Sequence, residues 1–295
     1  VTKEPAAKEV FSPGTVRDAH LAISDKEFRC LRELIYAHTG ITLSEHKRAL
    51  VCARLARRLR HLNLPSYTAY YELLTERDPD ERELLEMINA ITTNKTDFFR
   101  ESHHFQFLTD HVLPGLRASH NRRLRIWCAA SSSGEEPYSI AITVCEALSL
   151  NEYDVKILAS DIDTNMLDRA TRGVYSLEHV LRIPEALRAK YFLRGTHTND
   201  GTARVKPLLQ SFVRFRRLNL IDEPWPMQGP FDVIFCRNVL IYFDKQLQHR
   251  LFNRFAGMLR PGGYLMLGHA EAIHGFDTLF RTVGHSIYER RGEGA

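Results

Sequence analysis

The chain has 295 residues, 44% hydrophobic and 26% charged, with a formal net charge of +4. That length allows one large or two modest domains with a proper core, and the composition is that of a soluble globular protein. So small a charge excess does not by itself imply a nucleic-acid binder, and any basic surface must be local. The cysteines Cys30, Cys52, Cys128, Cys145 and Cys236 are scattered and have no C-x-x-C spacing. They read as reduced, packed thiols of a cytosolic protein, with no disulfide framework and no metal site. No apolar run is long enough to span a membrane. Residues 1–20 lack the apolar core of a signal peptide and read as a flexible lead-in.

Residues 21–90 read as a small helical domain. Ser24 and Glu27 have capping-box spacing ahead of Phe28, Leu31, Leu34 and Ile35, and Gly40 closes that helix. Ser44 to Leu62 is a second helix with an apolar stripe of Leu50, Val51, Leu55, Leu59 and Leu62. Arg54, Arg57 and Arg60 recur on another face, with Lys47, Arg48 and Arg58 adding charge. A solvated face is one reading. A surface for an acidic partner is the other, favoured because Glu45 is the segment's only internal acid. Further helices are expected from Ser66 to Glu76 and after Pro79. Residues 91–102 then break the periodicity as a linker. Arg100, beside Phe98 and Phe99, reads either as a surface cation or as a guanidinium gripping a carboxylate in a cleft.

Residues 103–295 follow a βα rhythm. Leu124 to Cys128 is a buried strand, followed by the small residues Ala129 to Gly134 and a helix opening with Glu135, Glu136 and Pro137. Strand, small-residue turn and helix make the ligand corner of a doubly wound α/β sheet. The glycine fingerprint of a dinucleotide site is missing, and two carboxylates occupy the place of the phosphates. That corner suits a phosphate-free, positively charged nucleoside such as S-adenosylmethionine; a plain acidic helix start is the competing reading. A second strand, Val155 to Ser160, ends at Asp161, a candidate ribose acceptor, while Asp163 caps the next helix. About 187–213 the rhythm gives way to a small β insertion whose edge suits an added peptide strand. Strands at Val213 to Leu220 and Phe231 to Phe235 follow. Arg237, Asn238 and Tyr242 fall beyond the carboxyl end of the latter, where ligands sit. Leu259 to Gly263 reads as a helix stop and turn.

The segments NKTDFFR, ASSSGEEPYSIA, ASDID, FDVIFCRNVLIYFD and LRPGGYLMLGHAE stand in one order and together resemble the bacterial chemotaxis receptor glutamate O-methyltransferases, the CheR family. The resemblance runs from about Ile23 to Tyr288. It implies an all-helical N-terminal domain, a linker, and an S-adenosylmethionine-binding methyltransferase sheet with an inserted β-subdomain. It places the cofactor at Asn94, Thr96, Arg100, Glu136, Asp161, Asn219, Leu220, Cys236 and Arg237. S-adenosylhomocysteine is the product, and no metal is involved. The substrate implied is a glutamate on the cytoplasmic helical bundle of a chemoreceptor, positioned by Arg100 and Tyr242. Arg54, Arg57 and Arg60 match the receptor-facing helix. Gly195, Gly201 and Arg204 match a clasp for the receptor's C-terminal peptide, although His197 stands where the family commonly has glycine. The expected enzyme is a cytoplasmic monomer without membrane insertion or nucleic-acid partner.

Three rival readings compete with this one. A base-amino methyltransferase commonly carries an Asn/Asp-Pro-Pro-aromatic turn where this chain has Arg237-Asn238-Val239-Leu240. A non-catalytic adapter is disfavoured because Arg100 and Asp161 are intact. A nicotinamide oxidoreductase fails on the missing glycines.

Overall fold

The computed structural model describes residues 23–118, 122–149 and 151–292, so the lead-in expected at 1–20 lies outside the described residues. The first helix, α1 (Asp25–Thr39), starts where Ser24 and Glu27 cap one another: the Ser24 hydroxyl accepts from the Glu27 amide at 3.2 Å, and the Glu27 carboxylate accepts from the Ser24 amide at 2.9 Å. Three more helices follow, α2 (Arg48–His61), α3 (Tyr67–Glu76) and α4 (Arg82–Ile91). Their apolar stripes meet in one core, with Phe28, Leu31 and Ile35 of α1 against Val51, Leu55 and Leu59 of α2. Leu50, assigned to that stripe from sequence, is 46% exposed and faces away from it. Arg58 is not a free surface cation: its guanidinium grips Glu83 through two bonds of 3.0 and 2.5 Å, and Tyr70 donates to the same carboxylate.

The linker has no regular structure. Then come α5 (His103–Phe107), a π-helical turn at Leu108–Val112, and α6 (Leu113–Ala118). The α/β unit continues with β1 (Arg123–Ala129), α7 (Glu135–Ala147), β2 (Asp154–Asp161) and α8 (Thr164–Arg172). Next are β3 (Val174–Ser176), α9 (Leu177–Val180), α10 (Glu185–Tyr191), β4 (Phe192–Arg194), β5 (Thr202–Val205) and α11 (Pro207–Phe212). The chain ends with β6 (Val213–Arg217), β7 (Phe231–Cys236), α12 (Lys245–Met258), β8 (Leu259–Leu267), β9 (Phe280–Gly284) and β10 (Ile287–Arg290).

Seven strands form one twisted sheet in the order β6-β2-β1-β7-β8-β10-β9. The first five are parallel, and β10 runs antiparallel to both its neighbours. Strand β1 is covered on both faces, and its alternation decides which residue faces which layer. Leu124, Ile126 and Cys128 join the cluster with α7, while Trp127 and Ala129 join the one with α12. In the order of the sheet, the chain reverses direction next to β1, so ligand space opens beyond the ends of β1, β2 and β7.

Two sequence expectations change in extent. The small antiparallel sheet has the order β3-β5-β4, so it begins at Val174, ahead of the expected 187–213 span, and part of that span is helical in α10 and α11. Strand β3 is only three residues long, too short for an alternation signal. The helix before Pro261 ends at Met258, but no free turn follows: strand β8 already runs from Leu259, its pairing with β7 shifting register between Phe231 and Val233. Among the described residues, no helix is long and apolar enough to cross a membrane.

Where α1 stops, the helical domain meets the sheet. Gly40 sits at φ 71°, and a Cβ there would lie 2.4 Å from Leu247 Cδ2 and 2.8 Å from Ile221 Cγ2. Gly40→Ala is therefore expected to destabilise the fold by about 1–3 kcal/mol, from the left-handed backbone and the overpacking together. Equilibrium denaturation measures this, and an unchanged midpoint would contradict the packing described.

Candidate active site

The site begins with a turn that β2 holds. After β1, the amides of Ala130 and Ser131 both donate to the Ser160 carbonyl, at 2.8 and 2.9 Å. Ser132 then donates its amide to Asp161 Oδ2 at 2.7 Å, while Asp161 Oδ1 accepts from the Asp163 amide at 2.9 Å. The turn ends at Gly134, φ 98°, where a Cβ would lie 2.8 Å from the Ala170 side chain and 2.9 Å from the Tyr175 hydroxyl. Glycine thus lets α7 begin hard against α8 and β3.

The two acids that open α7 part company. Glu135 turns away, accepting from the Ser133 hydroxyl at 2.7 Å and lying 3.6 Å from His179. Glu136 turns toward the cleft, with one oxygen 3.1 Å from Cys128 Sγ and the other 2.5 Å from Arg237. Only Glu136 lines the cleft, which corrects the expectation that both acids replace the phosphates.

Arg237 is the hub. Its side chain is 1% exposed and donates to Glu136, to Glu101 Oε2 at 2.9 Å and to the Arg100 carbonyl at 2.5 Å. One guanidinium thus joins the end of β7, the start of α7 and the linker. Burial alone would raise the Glu101 carboxyl, but Arg237, with Asn238 assisting, holds it down at about 2. A second buried acid steadies the segment after β7. Glu271 accepts from the amides of Asn238, Leu240 and Gly268 at 2.8, 2.8 and 2.7 Å.

Between the helical domain and the sheet lies a cleft with about 1140 Å³ of space unfilled by protein, its open mouth included. That is room for a nucleoside-sized ligand. Of the residues expected around a cofactor, Asn94, Thr96, Arg100, Glu136, Asp161, Asn219, Leu220 and Arg237 all line it, and so does Tyr242. Cys236 does not. It is fully buried among the residues packed on Trp127, because the strand alternation of β7 turns its side chain into that layer. Several lining side chains already have internal partners. Asn94 donates to Asp163 at 2.7 Å, and Asn219 donates to the His38 carbonyl at 2.7 Å. Arg100 donates to the Lys95 carbonyl at 2.9 Å and stands 3.9 Å from Glu101 Oε1.

The three arginines of α2 separate. Arg54 lines the cleft and donates to the carbonyls of Ile91 and Thr92 at 2.7 and 2.9 Å. Arg57 and Arg60 are exposed outside it. Gly195, Gly201 and Arg204 lie in the small sheet, apart from the cleft. Arg204 is an exposed residue of the central strand β5, and Gly201 leads into that strand at φ 77°.

Sequence reasoning missed Glu101, Glu271 and Lys95, and placed Lys47 on the outer basic surface. Lys47 and Lys95 line the cleft, and Lys47 Nζ stands 4.7 Å above the Tyr242 ring. Glu101 follows Arg100 directly, and an acid beside a cleft arginine was the available signal.

The donor set can be tested against a ligand. Asp161 at the end of β2, Glu136 in the first turn of α7 and the small Ala130 and Ser132 fit a nucleoside carrying positive charge. Lys47, Lys95 and Arg100 fit a carboxylate at the same cleft.

Because Glu101 is depressed in the fold from an ordinary 4.5, its stabilising effect is present above about pH 4.5 and disappears as pH falls toward 2. Glu101→Gln is expected to lower stability near neutrality by on the order of 3 kcal/mol, leaving Arg237 half compensated. The gap from wild type should close below pH 4.5 in thermal melts, and a gap independent of pH would refute the pairing.

Comparison with known proteins identifies the family of both domains. Residues 26–92 match the family described as the CheR methyltransferase, all-alpha domain, and residues 94–288 match the CheR methyltransferase, SAM binding domain. The chain is 49% identical over 263 residues to chemotaxis protein methyltransferase 2 of Pseudomonas aeruginosa, covering 89% of this chain and 92% of that protein. It is 43% identical to the chemotaxis protein methyltransferase of Klebsiella aerogenes, covering 97% of each. It is 42% identical to that of Escherichia coli, covering 91% and 92%. With both domains matched and the cleft between them lined as described, the chain belongs to the CheR family of S-adenosylmethionine-binding chemotaxis methyltransferases.

Proposed function

We propose that this enzyme methylates glutamate side chains on the cytoplasmic helical bundle of chemoreceptors, forming methyl esters and releasing S-adenosylhomocysteine. The observation that carries the reading is the cleft lining, in which the buried acids Asp161 and Glu136 share one space with Lys47, Lys95, Arg100 and Tyr242. The acids suit a cationic nucleoside, and the cations suit a substrate carboxylate. On this reading the protein is a cytoplasmic monomer.

S-adenosylmethionine, when bound, supplies a methyl group activated by its sulfonium. Asp161 would hold the ribose hydroxyls, and Glu136 would place negative charge beside the cationic end. A glutamate carboxyl of pKa about 4.3 is roughly 500 to 1 ionised at pH 7, so the chain needs no general base. Its residues have to align and exclude water, and alignment can contribute up to about 7–11 kcal/mol. Arg100 and Tyr242 would orient the carboxylate; too tight a grip by Arg100 would blunt the nucleophile. Arg57 and Arg60 would meet receptor acids outside the cleft, on the helix whose Leu50, Val51 and Arg54 line it. A receptor C-terminal peptide docked near Gly195, Gly201 and Arg204 would add a tether.

A transfer assay with methyl-labelled cofactor tests the proposal, using receptor-containing membranes, RNA and DNA as acceptors. Base-labile label on the receptor alone is expected. Label on nucleic acid, or none on receptor, would overturn it. Replacing Arg57 and Arg60 together by Ala should weaken receptor binding and flatten its salt dependence while S-adenosylhomocysteine binding stays intact; unchanged receptor affinity would remove that face from docking.

A pH dependence follows as well. Burial pushes the Asp161 carboxyl up to about 6, against the pull of the Asp163 and Ser132 amides. Ribose hydroxyls favour the ionised form, so S-adenosylhomocysteine affinity should be full above pH 6 and fall below it, by up to about tenfold per unit. Calorimetry from pH 5 to 8 measures this. Asp161→Asn should bind weakly with a flat profile, and a flat wild-type profile would deny Asp161 the role.

A further inference from the structure

Outside the cleft, three imidazoles from three separate elements converge. His103 opens α5, His269 sits in the turn after β8, and His285 begins the two-residue turn between β9 and β10. Each offers one ring nitrogen, and these nitrogens all lie within 4.8 Å of one another. His103 Nδ1 lies 3.3 Å from His269 Nε2. Two nitrogen ligands of a tetrahedral zinc ion, each about 2.0–2.1 Å from it, stand about 3.3 Å apart.

The proton on His103 is placed by its neighbour. Its Nε2 is 3.0 Å from the His285 carbonyl oxygen, which can only accept. Nε2 therefore carries the proton, and Nδ1 turns a lone pair toward His269. A metal-bound histidine is typically held in this way, donating its other N–H to a backbone carbonyl. The same bond ties the turn that carries His285 to the helix that carries His103. A carboxylate stands just outside, with Glu101 Oε2 3.9 Å from His269 Nε2.

We propose that His103, His269 and His285 form a binding site for a divalent transition-metal ion of borderline softness, the class of zinc and cobalt, with solvent completing the coordination. Three neutral nitrogens suit that class, whereas calcium and magnesium require oxygen ligands. Ligation needs only that His269 carry its proton on Nδ1, with a slight inward movement of His285. An ion there fastens the start of α5, three residues beyond Arg100, to the ends of β8 and the β9–β10 hairpin. Because it binds the native arrangement alone, it raises thermal stability with metal concentration.

The test is a cobalt(II) titration of the full, chelator-treated chain, read by visible absorption. Saturation at one equivalent, with the intense spectrum of four- or five-coordinate cobalt and displacement by zinc, is expected. His269→Ala and His285→Ala should each weaken binding at least about tenfold, while His61→Ala, an exposed histidine outside the cluster, should not. Circular dichroism and melting confirm that the variants fold. If His103→Ala does not fold, the exposed His285 still decides the question. Equal affinity in His285→Ala and wild type, or no saturable binding in wild type, would overturn the site.

Discussion

A buried guanidinium between two carboxylates organises this molecule. Arg237 cannot lose its proton, so its burial requires Glu101 and Glu136 beside it. Each acid belongs to a different piece of chain, and each therefore has to be delivered to one place. Meeting that requirement brings together the linker, the start of α7 and the end of β7, which form one wall of the cleft. The Arg100 carbonyl joins the same group, so the linker approaches the sheet through backbone as well as side chain.

The surrounding backbone is held where it does not rest easily. Phe99, Glu101, Ala130, Ser132 and Asn238 all have positive φ without being glycine. Such conformations cost of order 1 kcal/mol or more each and persist only when neighbours over-determine them. Here the neighbours are visible. The Ser160 carbonyl and Asp161 hold Ala130 and Ser132, Glu271 holds Asn238, and the Ser139 hydroxyl accepts from the Phe99 amide at 2.9 Å. Strain concentrated around one cleft belongs with a function that needs fixed geometry.

What the chain declared in advance was local. The Ser24 capping box, the stop at Gly40, the small turn after β1 and Asp163 as a helix cap each depend on residues a few positions apart. So does the placement of Asp161, because a strand end shows itself in one hydrophobic run. Long-range pairings were not legible. Glu101 and Arg237 are 136 residues apart, and nothing in either neighbourhood names the other. Glu135 and Glu136 look alike in sequence, yet helical rotation sends one to the small sheet and the other to the cleft. Cys236 and Arg237 differ likewise by the alternation of one strand. Strand β3 leaves no trace in the sequence, because three residues cannot display a period.

The two bonds from Arg54 to the carbonyls of Ile91 and Thr92 have a consequence for timing. They anchor the linker two and three residues ahead of Asn94, from the same helix that exposes Arg57 and Arg60. Anything that drew Arg54 away from those carbonyls would release that anchor, so a shift of α2 would be felt along the cleft wall. By thermodynamic reciprocity, whatever fills the cleft and favours one position of Arg54 is favoured by it to the same degree. Helix and linker would thus move together through a single side chain.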